Sequence, residues 1–282
     1  MLTPRTRDHQ PRATAYSVFL LPLSRSNTVT QLTLEVCIDS VQGALAAEAG
    51  GADRLELCGN LIQGGTTPST GLIRSVLAAT RLPVMVMIRP RGGSFCYNTD
   101  ELETMFAEAD SVLSESIPGI VIGSLTTDGD VDLPTCTRLC EMAGPRSVTF
   151  HRAFDHARDA ETALQHLIEL GIDRVLTSGQ APTAPQGIPL LRALIDQAAN
   201  EIVVMPGCGI RAQNVRSVLA GTRATEIHCS ASTSQQLAAC FWRTDVPMGS
   251  PNTPEGDERI RRVTCQKTVR EIRSHMNDWA NQ

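Results

Sequence analysis

Two pairs of chemically able residues recur at the same spacing, Glu35 with Cys37 and Glu56 with Cys58, each inside a short apolar run. Side chains alternate faces along an extended segment. Glu35 and Cys37 therefore share one face while Val36 and Ile38 take the other, and Glu56 and Cys58 likewise oppose Leu55 and Leu57. If the two segments are neighbouring strands, two acids and two thiols converge. A carboxylate pair suits general acid and base work, and His151, which ends a later apolar run, is the natural third proton carrier. Two thiolates from adjacent strands suit a soft ion such as Cu(I), although 21 residues separate Cys37 from Cys58 and no short metal-binding motif is present.

The elements that position these residues read as successive βα units. From about residue 32, short β-branched runs at 33–38, 54–57, 84–88, 120–122, 148–150, 174–176, 202–205 and 226–228 alternate with amphipathic stretches, the last near 257–280. Eight such units predict a single (β/α)8 TIM barrel. An open doubly wound sheet is the rival, but no GxGxxG follows the first strand. Gly51, Gly144 and Gly171 stand where helices should end. In a barrel, residues at the carboxyl ends of the strands face the working mouth. That end gathers Glu35, Cys37, Glu56, Cys58, Arg89, Arg91 and His151, with Glu226 and His228 on one face of the last strand. A purely structural ionic network is the competing account of so many charges, because buried charges need partners. The segment 230–256 predicts a long βα loop over the site.

Several loops are suited to anions. Arg91-Gly92-Gly93-Ser94 follows the third strand, Thr177-Ser178-Gly179 the sixth and Pro206-Gly207-Cys208-Gly209 the seventh. Glycine and hydroxyl residues there can turn N–H and O–H donors toward a phosphate or carboxylate, with Arg89 and Arg91 supplying charge. The expected anion-binding set is Arg89, Arg91, Ser178, Gly179, Gly207 and Gly209. Cys136 and Cys140 form an i, i+4 pair on the fourth helix, which fits buried thiols better than a metal clip.

Composition narrows the field. The chain has 282 residues and a formal net charge of −5, which argues against nucleic acid or anionic membrane as a partner. No apolar run approaches the ~20 residues of a membrane span. Nine cysteines, an odd number in a chain this long, fit reduced thiols. Residues 1–31 carry Arg5, Arg7 and Arg12 and fit a flexible tail, with an organellar presequence as the alternative, which leaves 32–282 as the barrel domain.

Six blocks taken in order resemble the CutC family: Glu35-Val36-Cys37, Gly51-Ala52-Asp53-Arg54-Leu55-Glu56-Leu57-Cys58, Gly64-Gly65-Thr66-Thr67-Pro68-Ser69, Ile88-Arg89-Pro90-Arg91-Gly92-Gly93, Thr149-Phe150-His151-Arg152-Ala153-Phe154-Asp155 and Leu176-Thr177-Ser178-Gly179. The resemblance implies a TIM barrel and a cytoplasmic, oligomeric protein of copper homeostasis, with the nucleus as a second compartment. It also implies Cu(I) binding by the two strand-end cysteines, here Cys37 and Cys58. Two functions thus stand side by side: a Cu(I)-binding homeostasis protein, and a barrel enzyme using Glu35, Glu56 and His151 on a small phosphorylated or carboxylated metabolite.

Overall fold

A computed structural model describes residues 32–241, 243, 246 and 259–281. The expected tail, 1–31, lies outside them. Eight parallel strands, β1 (Thr33–Ile38), β2 (Arg54–Leu57), β3 (Val84–Met87), β4 (Gly119–Ile122), β5 (Ser147–Phe150), β6 (Arg174–Thr177), β7 (Val203–Pro206) and β8 (Glu226–Cys229), form one sheet in the order β7-β6-β5-β4-β3-β2-β1-β8. β7 and β8, at the two ends of that order, also lie against each other, so the sheet curls into a nearly closed barrel. Helices α1 (Val41–Gly50), α2 (Thr70–Ala79), α3 (Thr99–Leu113), α4 (Leu133–Ala143), α5 (Ala160–Glu169), α6 (Ile188–Ala198) and α7 (Ala212–Thr222) follow the first seven strands.

The expected alternation holds in its burial pattern. Val36, Ile38, Leu55, Leu57, Val84, Val86, Ile120 and Ile122 point outward and join the helices in the main core. The inward set includes a separate small cluster, Cys37, Cys58, Met85, Met87 and Val121. Register explains why the two acid–thiol pairs meet: Glu35 lies opposite Arg54, Cys37 opposite Glu56, and on the other side Glu35 opposite His228.

Local signals place the helix ends. Ser40, Ser69, Asp132 and Asp159 accept a backbone N–H of the first turn, and Asn98 with Glu101 makes a reciprocal capping box at α3. Gly51 ends α1 at φ 94°, a conformation that a side chain disfavours.

Of the expected loop 230–256, residues 242, 244, 245 and 247–256 lie outside the described residues, while 232–236 form a strand where the sequence predicts a loop. The last helix does not start near 257. Residues 260–264 instead form β10 (Ile260–Thr264), antiparallel to β9 (Ser232–Gln236), and α8 (Gln266–Ala280) follows. Thr233, Arg262 and Val263 are β-favouring or neutral residues that gain ladder bonds in this pairing, which a short helical turn ahead of Cys265 would forgo. α8 then packs against α1 and α7 and buries Val269, Ile272 and Met276.

Candidate functional site

The inward residues of β1, β2, β6 and β8 build an ionic layer near the amino end of the barrel. Arg54 binds Glu35 and Glu226 together, and Arg174 holds the same Glu226 at 3.1 Å while donating to Ser147 Oγ at 2.8 Å. Burial disfavours the charge on Arg54, yet Glu35 and Glu226 overcome that and raise its pKa further. Glu226 is lowered, burial being outweighed by Arg54 and Arg174. This is the paired arrangement that buried charges require.

One layer higher, His228 Nε2 lies 2.9 Å from Glu56 Oε2 and 3.9 Å from Glu35 Oε1. Burial alone would strip the imidazole of its proton. The two carboxylates reverse this and hold the His228 pKa well above its ordinary value, so the ring is an imidazolium at neutral pH. Glu56 is correspondingly lowered, with burial opposing and His228 prevailing. Gly207 makes room for this ring, since a Cβ there would stand 3.2 Å from His228 Nδ1 and 2.4 Å from Leu176.

Above the ion pair the chemistry turns to sulfur. Cys37 Sγ lies 3.8 Å from Cys58 Sγ, and both side chains are buried. The contact with Cys58 and burial push the Cys37 thiol well up. Cys58, whose contact with Cys37 works in the opposite sense, is still raised by burial to about 11. Both are protonated thiols at neutral pH. The ligand atoms of Cys37, Glu56 and Cys58 lie within 4.8 Å of one another, as do those of Glu35, Glu56 and His228.

On the opposite wall His151 directly follows β5. Its Nδ1 accepts the Ala153 N–H at 3.1 Å, and burial together with the nearby Arg89 charge lowers its pKa to about 3. The ring is therefore neutral with its proton on Nε2. A Cβ on Gly123 would stand 2.3 Å from this ring, so the glycine just beyond the neighbouring strand β4 makes the space it needs. Five buried polar atoms of the barrel lack a hydrogen-bond partner among the described residues: Glu35 Oε1, Glu56 Oε1, Arg89 Nε, Thr149 Oγ1 and His151 Nε2. Two are acceptors, and the others include two N–H donors. Leaving such groups unpaired costs about 1–3 kcal/mol each, so a ligand or water is expected to meet them.

The structure keeps the anion-suited residues busy elsewhere. Arg89 donates from Nη1 to the Gln63 and Gly65 carbonyls and from Nη2 to the Gly93 carbonyl, with its guanidinium 4.7 Å from the centre of the Phe95 ring. Arg91 pairs with Glu101 at the rim and donates to the Ser94 and Cys96 carbonyls. The nest after β6 already contains an anion. The Asp155 carboxylate accepts the Ser178 and Gln180 N–H groups, the Thr177 and Ser178 hydroxyls, and Arg152 Nε at 2.7 Å. The Gly179 N–H is spent on Thr177 Oγ1 and the Gly207 N–H on the Thr177 carbonyl. Gly209 turns at φ 73° and gives its carbonyl to Asn214 Nδ2.

Sequence reasoning selects Glu35, Glu56, Cys37, Cys58 and His151; all five are buried inside the barrel, but Glu35 sits in the ionic layer toward the amino end and not at the mouth, because its register opposite Arg54 pairs it there. It missed Arg54 and Arg174 as the counter-charges, Met85 and Met87 as further sulfur, and Asp155 as the nest's occupant. The methionines were findable, because alternation puts both on the face opposite Val84 and Val86. Asp155 gave no signal, since only the three-dimensional path of its loop brings it to the next one. Cys136 is buried in α4 and its thiol is raised by desolvation, as a packing thiol would be.

Comparison with known proteins agrees with this architecture. The CutC family profile matches residues 32–233. The copper homeostasis protein cutC homolog of Homo sapiens is 44% identical over 253 residues, spanning 89% of this chain and 93% of that one. That of Mus musculus is 48% identical over 240 residues, 85% and 88% of the two chains. Among solved structures, the CutC protein of Streptococcus agalactiae superposes with a TM-score of 0.67 at 30% identity, covering 71% of this chain and 98% of its own. Thiamine phosphate pyrophosphorylase of Pyrococcus furiosus, at 17% identity and a TM-score of 0.54 over 89% of this chain and 98% of its own, shares the fold alone. The chain belongs to the CutC family of copper homeostasis proteins.

Proposed function

We propose that this protein serves copper homeostasis by holding Cu(I), its cargo, between Cys37 and Cys58. The observation that carries this reading is the 3.8 Å separation of two buried sulfurs. Two metal–sulfur bonds of about 2.3 Å opened to a tetrahedral angle span about 3.8 Å, so one ion can bridge the pair without moving the strands. Soft sulfur suits Cu(I), and burial shields the ion from water and oxidants. Because both thiols are raised, loading the metal expels two protons, and apparent affinity climbs with pH. A cytoplasmic homo-oligomer accompanies this reading, as the family resemblance implies. Titration with Cu(I) against a chromophoric competing chelator tests it: the wild type takes up one equivalent and the double variant Cys37→Ser, Cys58→Ser takes up none. Stoichiometric uptake by the double variant would remove these cysteines from the site.

The five unpartnered atoms support a second reading, an enzyme acting on a small carboxylated or phosphorylated metabolite. In it Glu35 and Glu56 exchange protons with the substrate. His151, neutral with its proton on Nε2, donates a hydrogen bond to a substrate oxygen and does not carry protons. Native mass spectrometry of protein purified without added metal separates the readings. A retained metabolite favours the enzyme, and one bound copper favours the cargo site.

A further inference from the structure

We infer that the Met87 thioether is a third sulfur ligand to the ion held by Cys37 and Cys58. The inference rests on the copper reading above and adds a ligand to it. Four of the five residues of the inner apolar cluster carry sulfur, Cys37, Cys58, Met85 and Met87, and the cluster is separate from the main core, where the aliphatic residues of these same strands reside. Strand register picks out one of the two methionines. Leu57 pairs with Val86, so the residues immediately beyond, Cys58 and Met87, are neighbours on the inner face of β2 and β3. Met85 lies one inward position nearer the amino end, opposite Glu56.

The glycine contacts make the same distinction. A Cβ on Gly65 would find Cys58 Sγ at 3.0 Å and the Met87 methyl at 3.6 Å, so both reach one point under the loop after β2. The Met85 methyl instead fills the space beside Gly119, 2.5 Å from where a Cβ would stand, on the side facing β4. Both methionines are at most 3% exposed, so the thioether needs no desolvation to meet an ion there. Cys37 on β1, Cys58 just beyond β2 and Met87 on β3 thus offer three soft donors from three neighbouring strand ends. A thioether carries no charge and no proton to lose, and it favours Cu(I) over harder divalent ions. Glu56, the hard donor grouped with the thiols, shares Oε2 with His228, and its Oε1 is a hard oxygen that suits Cu(I) less well than a thioether does.

The test uses full-length protein and near-isosteric variants, because Met and Leu exchange with little disturbance to packing. Cu(I) affinity is measured by chelator competition for wild type, Met87→Leu and Met85→Leu, and X-ray absorption at the copper edge counts the sulfurs. Met87→Leu is expected to keep one-to-one stoichiometry, weaken Cu(I) binding about tenfold or more, and lower the sulfur count from three to two. Met85→Leu should leave both readings unchanged. Equal affinity in Met87→Leu and wild type, or a sulfur count that the substitution does not alter, would reduce Met87 to packing and overturn the inference while the two-cysteine site stands. A wild type that takes up no Cu(I) would overturn the copper reading itself, and this inference with it.

Discussion

The loop after β6 and the interior lined by β1, β2, β3 and β5 handle polar groups in opposite ways. Around Thr177, Ser178 and Gln180 the donors converge as they would on a phosphate, yet Asp155 already sits among them and nearly every donor is spent. Inside the barrel, buried carboxylate oxygens and N–H groups are left without partners. A site that satisfies itself gains rigidity and loses a ligand, whereas a site left unsatisfied stores affinity for something that arrives later. The difference moves attention from the glycine loops to the barrel interior. There the Cys37–Cys58 pair and the unpartnered atoms of Glu35, Glu56, Arg89, Thr149 and His151 are all buried.

The largest effect is expected from emptying the nest. Asp155 is 5% exposed and binds two backbone N–H groups, two hydroxyls and Arg152, so Asp155→Ala strips the Ser178 and Gln180 N–H groups and the Thr177 hydroxyl of their acceptor, while Ser178 Oγ keeps the Ala181 carbonyl and Arg152 Nη2 keeps Ser178. Loss of a buried charge from such a network should destabilise the protein by on the order of 3 kcal/mol, read as a lower urea midpoint. The variant should then bind inorganic phosphate where the carboxylate was, and millimolar phosphate should raise its Tm while leaving the wild type unmoved. A variant that phosphate does not stabilise would show that the loop is shaped for Asp155 alone, and the comparison would lose its first half.

How far the sequence reveals this contrast depends on the range of the signal. Barrel class, all eight strands and the convergence of Glu35, Cys37, Glu56 and Cys58 follow from period-two alternation and βα spacing, which are local. Strand ends shift by a residue or so, as at Gly119, Ser147 and Cys229, where neighbouring strands supply ladder bonds that single segments do not predict. The β9–β10 pairing joins residues 232–236 to 260–264, a separation that no local pattern reports. Arg89 and Arg91 look alike in sequence, two residues apart beside glycines. Only the structure separates them, the first clamping carbonyls of two loops under the mouth and the second pairing with Glu101 at the rim. Partner choice over long sequence distances decides these roles, and composition is silent about it.

A pH experiment sharpens the second half of the comparison. His151 has its pKa lowered from 6.5 to about 3, first by burial and then by Arg89, so the folded protein keeps it neutral while the unfolded chain protonates it near 6.5. Its contribution to stability is complete above 6.5 and is lost progressively as the pH falls toward 3. Its neighbours do not mimic this. His228 is raised, so its contribution is complete below 6.5 and fades only on the alkaline side, and Glu56, lowered from 4.5, gives way only below that value. In the window from 6.5 to 4.5 the loss of stability on acidification therefore comes from His151, with Glu108, a half-buried carboxyl raised above 4.5 by desolvation, acting in the opposite sense in wild type and variant alike. Two pH units there amount to about 2–3 kcal/mol. Wild-type unfolding free energy should drop by that order between pH 7 and 4.5, and His151→Gln, neutral throughout, should lose most of the slope. If the variant kept the wild-type slope, His151 would be titrating as an exposed group does. The wall of the barrel opposite the cysteines would then be open to water, and its unpartnered atoms would hold no affinity in reserve.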